Sequence, residues 1–106
     1  MKKLLFIGLC MFSQQAFAAW DGVRTGKVAN IDVTGGNNYG FRVWLGGVTS
    51  MCGNDHGWAY INELDSNYQV YVSVLLAAKM AERTVVIYTT QTGSNGYCHI
   101  GYMGMR

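Results

Sequence analysis

Only one stretch of this chain, Asp65 to Glu82, sustains a helical period, and a single helix in a strand-and-turn sequence leaves few possible folds. Tyr68, Tyr71, Val72, Leu75 and Leu76 fall at i, i+3, i+4, i+7 and i+8, which stack on one face at 3.6 residues per turn. Asp65 or Ser66 is placed to accept hydrogen bonds from the free N–H groups of the first turn. Lys79 sits near the end, where a cation suits the helix dipole. Val70, Val72 and Val74 are β-branched and lower the intrinsic propensity, so packing has to hold this helix together.

The rest reads as strands and turns. A first strand is expected from Arg24 to Thr34, with Ala29, Ile31 and Val33 inward and Asn30 and Asp32 on the other face. Gly35-Gly36-Asn37-Asn38 is a hairpin signal, because these residues tolerate positive φ. Tyr39 to Leu45 follows, with Phe41, Val43 and Leu45 on one face and Tyr39, Arg42 and Trp44 distributed about the other. Val48 to Met51 and Trp58 to Ile61 are short extended pieces, one interrupted strand or two, around the turn-rich loop Gly53 to Gly57. After the helix, Thr84 to Thr90 is β-branched and aromatic almost throughout. Thr92 to Gly96 makes a second hairpin turn, and Tyr97 to Met103 a last strand, with Cys98, Ile100 and Tyr102 opposing Tyr97, His99 and Gly101. The order is therefore three strands, helix, two strands. That is the order of the OB-fold, a five-stranded Greek-key barrel, mainly β, with one helix between strands 3 and 4.

Residues 1 to 18 read as a signal peptide. Lys2 and Lys3 precede the apolar run LLFIGLCMF, and Ala16-Phe17-Ala18 is a small-x-small cleavage site. The apolar run is too short to span a bilayer. Cleavage after Ala18 would leave residues 19–106, one small binding domain, in the periplasm or secreted from a bacterial cell. Without Lys2 and Lys3 the remaining basic and acidic residues balance, six of each. A neutral domain has no electrostatic footprint for nucleic acid or an anionic membrane, so neither nucleic-acid binding nor membrane insertion is expected.

Two cysteines remain in that exported domain, Cys52 and Cys98, and a disulfide between them is the leading reading. It would close a loop of about 46 residues and contribute on the order of 3–4 kcal/mol in the chain-entropy model. A zinc site recruiting His56 and His99 is disfavoured, since Cys98 and His99 would point to opposite strand faces. No metal and no cofactor is expected. No residue set looks catalytic: there is no G-x-S-x-G, no paired carboxylates and no metal motif. Asp55-His56 reads as a solvated loop. Glu63, Asp65 and Glu82 read as capping and solubility residues, and His99 as a polar-face strand residue. Trp58 is expected in the core, whereas Tyr39 and Tyr102 lie at strand ends, as often exposed as buried.

Four features carry a resemblance. They are Ala19-Trp20-Asp21-Gly22 at the start of the exported part, the aromatic strand Gly40-Phe41-Arg42-Val43, the passage from Cys52 through Trp58 to the helix Tyr68–Ala81, and Val85-Val86-Ile87-Tyr88 with a late glycine and cysteine. In these the chain resembles the subtilase-cytotoxin B subunit family, with the related pertussis-like and typhoid-type AB5 toxin B subunits. The resemblance implies an OB-fold lectin that assembles as a homopentamer, recognises a cell-surface glycan and delivers a possible catalytic A subunit, itself not an enzyme. The family's glycan pocket relies on a serine of the first strand, which this chain lacks. Ungapped counting from Trp20 puts Asn30 there, while Thr25 would need a gap. With Tyr39 and Trp44, whose faces can stack on pyranose rings, these are the candidate glycan-binding residues. In such a ring the outward helix face, with Gln69, Ser73, Lys79 and Val70, would meet neighbours or the A subunit. The alternative is a periplasmic or secreted OB-fold protein that binds a protein or small ligand and has no toxin role.

Overall fold

The computed structural model describes residues 19–106; the signal-peptide expectation for residues 1–18 lies outside them. Five strands and one helix follow in the expected order: β1 (Gly22–Val33), β2 (Phe41–Leu45), β3 (Ala59–Ile61), α1 (Tyr68–Ala81), β4 (Thr84–Thr92) and β5 (Tyr97–Met105). The strands close into a barrel in the order β1-β2-β3-β5-β4. All neighbours are antiparallel except β3 and β5, which pair in parallel. This is the mainly β barrel, with its helix between strands 3 and 4, that the element order implies. No described helix is long and apolar enough to cross a membrane.

The barrel is filled by the inward residues of every strand. Phe41, Val43 and Leu45 of β2, Ala59 and Ile61 of β3, Val85 and Ile87 of β4, and Ile100 of β5 are buried together. The strict alternation of β2 is as expected. In β1 a bulge between Val28 and Asn30 changes the phase. Val28 points inward before it and Ile31 packs on the core after it, so Ala29, expected inside, is exposed. Val33 is 72% exposed at the barrel's rim. A second irregularity lies where Tyr88 pairs with Tyr102 but Thr89 pairs with Ile100. Gly101 is the extra residue, and it turns Tyr102 outward, away from the face it would share with Ile100.

Val48–Met51 forms no strand, and only Ala59–Ile61 supplies the third one. Met51 is nevertheless fully buried, and its carbonyl accepts a hydrogen bond from the buried Thr89 hydroxyl at 2.7 Å. Gly22 makes this possible: a Cβ there would lie 2.7 Å from the Cys52 Cα. Cys52 and Cys98 are bonded, with Cα atoms 5.5 Å apart, and neither sulfur is available to a metal.

The helix packs against β1, β4 and β5. Leu75 and Ala78 are its buried residues, with Tyr68, Tyr71 and Val72 packed on the core. Leu76 is 45% exposed, because the buried stripe runs on through Ala78 instead. The capping expectation also fails. Asn67 is the N-cap, in the left-handed conformation and without a side-chain bond, because the Asp65 carboxylate is engaged elsewhere. Lys79 near the helix end donates to the Ala29 carbonyl at 2.9 Å, at the bulge.

Candidate functional site

The cross-strand pairs place the outward side chains of β2, β3 and β5 in two rows. Arg42 pairs with Tyr60, and Tyr60 with His99; on the other side Arg42 faces Asp32. The neighbouring row begins with Asn30 opposite Trp44, and continues through Trp58, two residues before Tyr60 on the same face, to Tyr97. The loop before β2 adds Tyr39, and the loop before β3 adds His56. The result is an aromatic platform on the outside of the barrel wall.

Its rings are in contact throughout. Tyr97 lies 5.0 Å from each of Tyr39, Trp58 and His56, centroid to centroid. Tyr39 meets Tyr60 edge-on at 4.7 Å, and His99 stacks on the other side of Tyr60 at 5.0 Å. Trp44 extends the row beyond Trp58 at 6.3 Å. The Arg42 guanidinium lies 4.6 Å above the Trp58 ring, a cation–π contact. Tyr60 is covered by its neighbours to 3% exposure, while Trp44, Trp58, Tyr97 and Tyr39 remain half-buried with faces or edges open to solvent.

Polar ties fix this surface. Arg42 Nε donates to the Tyr39 carbonyl at 2.9 Å, and its Nη groups keep no protein acceptor among the described residues. The Tyr60 hydroxyl is hydrogen-bonded to the Thr92 hydroxyl. Burial pushes the Tyr60 phenol above its ordinary range, and the nearby Tyr39 and Asp65 add to this, against the opposing Thr92 bond. His56 Nε2 meets the Asn95 carbonyl at 2.8 Å, and Asn54 Nδ2 donates to the Gly96 carbonyl at 2.8 Å. Those two bonds and the disulfide lash the loop after β2 to the β4–β5 hairpin. Asp65 accepts from His99 Nε2 at 2.7 Å, which makes that nitrogen the protonated one.

Of the expected glycan residues, Tyr39 and Trp44 belong to the platform and Asn30 borders it beside Trp44. Thr25 does not. It is exposed on the far side of β1, paired with Val86 of β4. Trp58, expected in the core, lies on the platform, because the inward positions of β3 are taken by Ala59 and Ile61. Tyr60, Tyr97, His56 and His99 were not among the expected glycan residues. The alternation of Arg42 and Trp44 with Phe41, Val43 and Leu45 marks an outward face in the sequence. Only the pairing of β3 with β5, however, brings 58–60 beside 97–99.

The platform is an open surface. The better-formed clefts lie elsewhere, and one of about 200 Å³ runs between α1 and β5, lined by Val70, Tyr71, Val74, Tyr102 and Met103 with Asn67. Its lining sets Asn67 and two tyrosines among aliphatic side chains, whereas the platform combines a run of ring faces with a guanidinium. Among the described residues no group of three or more His, Cys, Asp and Glu is placed to hold a metal ion. The chain matches no family model, no curated protein and no solved structure.

Proposed function

We propose that this chain is an exported carbohydrate-binding subunit of the toxin B-subunit type, and that the aromatic platform is where it meets a cell-surface glycan. The observation that carries the reading is the continuous line Trp44–Trp58–Tyr97–Tyr39, which crosses strands 2, 3 and 5 and takes in the loop between strands 1 and 2. The face of strands 2 and 3 and the loops 1–2 and 4–5 are where OB barrels take oligosaccharides and oligonucleotides. Aromatic faces stack on the C–H side of pyranose rings, and indole, phenol and guanidinium groups can bond ring hydroxyls. An open platform suits an extended chain of sugars better than an enclosed small molecule. The six-to-six balance of charges over residues 19–106 argues against the oligonucleotide.

Assembly into a ring is part of the proposal. It is supported by the helix face turned from the barrel, where Val70 is 59% and Met80 86% exposed. The catalytic function, in this reading, belongs to a separate A subunit.

The test is a printed array of defined oligosaccharides probed with the purified 19–106 chain, alongside its mass by light scattering. Glycan binding that is lost in Trp44→Ala, with a mass near five protomers, is the expected result. A monomer that binds no oligosaccharide would defeat the proposal and favour the other reading, an envelope protein that binds a protein or small ligand.

A further inference from the structure

Tyr39 has φ of 60°, a left-handed backbone that a residue with a Cβ adopts at a cost. Of the two other non-glycine residues of this kind, Glu82 caps the C-terminal end of the helix, where such a conformation is common, and Asn67 is of the residue type that tolerates it best. Tyr39 ends nothing. Its backbone is instead gripped at both sides: the carbonyl accepts from Arg42, and the N–H donates to Asn62 Oδ1 at 2.8 Å. Asn62 comes from a distant loop, directly after β3. Its own N–H donates to Asp65 Oδ2 at 2.8 Å, the same oxygen that accepts from His99. A second tie between the two loops runs from the Glu63 N–H to the Asn37 carbonyl at 3.3 Å.

We infer that Asn62 is a positioning residue of the platform: its side-chain oxygen selects the Tyr39 backbone conformation that sets the Tyr39 ring edge-on against Tyr60 and Tyr97. Asn62 touches none of the rings through its side-chain hydrogen bond and acts through Tyr39 alone. Without that acceptor the residue is expected to relax toward an ordinary extended backbone and the ring to leave Tyr60 and Tyr97. The consequence for binding rests on the carbohydrate reading above; the placement of the ring does not.

Two variants of the 19–106 chain, disulfide intact, test this. Asn62→Ala removes the acceptor, and Asn62→Asp keeps one in the same place. Nuclear Overhauser contacts between the Tyr39 ring and the rings of Tyr60 and Tyr97 read the placement. Affinity for the oligosaccharide that wild type binds best on the array reads the consequence. Asn62→Ala is expected to lose the ring contacts and to weaken binding about two- to tenfold, the scale of one hydrogen bond. Asn62→Asp should restore both. Unchanged ring contacts in Asn62→Ala overturn the inference. Lost contacts with unchanged affinity overturn its binding half. Should wild type bind no oligosaccharide, the carbohydrate reading fails, and the ring contacts alone still decide whether Asn62 places Tyr39.

Discussion

Replacing Cys52 and Cys98 together by alanine should lower the stability of the domain by about 4 kcal/mol, the chain-entropy value for residues 46 apart. That is a large share of the whole. A domain the length of residues 19–106 has a total stability of about 4–13 kcal/mol. The corresponding fall in Tm is about 15–30 °C. Both sulfurs are fully buried, so the lost packing adds to the effect, while the Asn54–Gly96 bond still joins the same loops and offsets a part of it. Urea titration followed by tryptophan fluorescence, on oxidised wild type and the double variant, gives the difference directly. The slope of free energy against urea should also rise, because an uncrosslinked unfolded chain exposes more surface. The platform is expected to loosen with it, since Tyr97 and His99 flank Cys98. Coincident midpoints for the two proteins would refute the reasoning, by showing that the closed loop does not restrict the unfolded state.

Gly22→Ala should cost about 3 kcal/mol, the upper end of overpacking, because its Cβ would meet the Met51 carbonyl and the Cys52 backbone, neither of which is a movable side-chain tip. Urea midpoints check it. Tyr60→Phe should cost about 1 kcal/mol at neutral pH for the lost Thr92 bond. It should also flatten the alkaline limb of the stability curve. The raised Tyr60 phenol keeps its proton in the folded state when the unfolded chain releases it, so stability is full below about pH 10 and declines as pH climbs toward the folded value. Urea midpoints between pH 9 and 12 read the difference. Arg42→Met, which keeps an unbranched side chain but removes the guanidinium over Trp58, should weaken oligosaccharide binding about tenfold while leaving Tm within a few degrees. Calorimetry beside a thermal melt separates the two effects.

Much of the fold was legible in the residues because local signals agreed with one another. The period of 3.6 at Tyr68 to Leu75, the period of 2 at Phe41 to Leu45 and the turn glycines near 36 and 93–96 each report on neighbours a few positions away. The pairing of Cys52 with Cys98 follows from their being the only two cysteines of residues 19–106. Alternation misleads where the chain breaks it. The bulge at Ala29 and the extra Gly101 each shift the phase by one, and a one-residue shift sends side chains to the opposite face. The N-cap departs from the local signal because Asp65 is drawn to His99, 34 positions away in the chain.

The sequence by itself determined which kinds of element form and in what order, because propensity and periodicity are properties of adjacent residues. Only the tertiary structure decided the site. Tyr39, Trp44, Trp58 and Tyr97 come from separate segments with no shared motif, and they meet because the barrel closes β3 against β5 in parallel. Thr25 and Asn30 are five positions apart on one strand, yet a long strand that pairs on both sides turns one toward β4 and the other toward Trp44 on β2. Register across strands is set by long-range packing of the whole barrel, and no local stretch of the chain contains it.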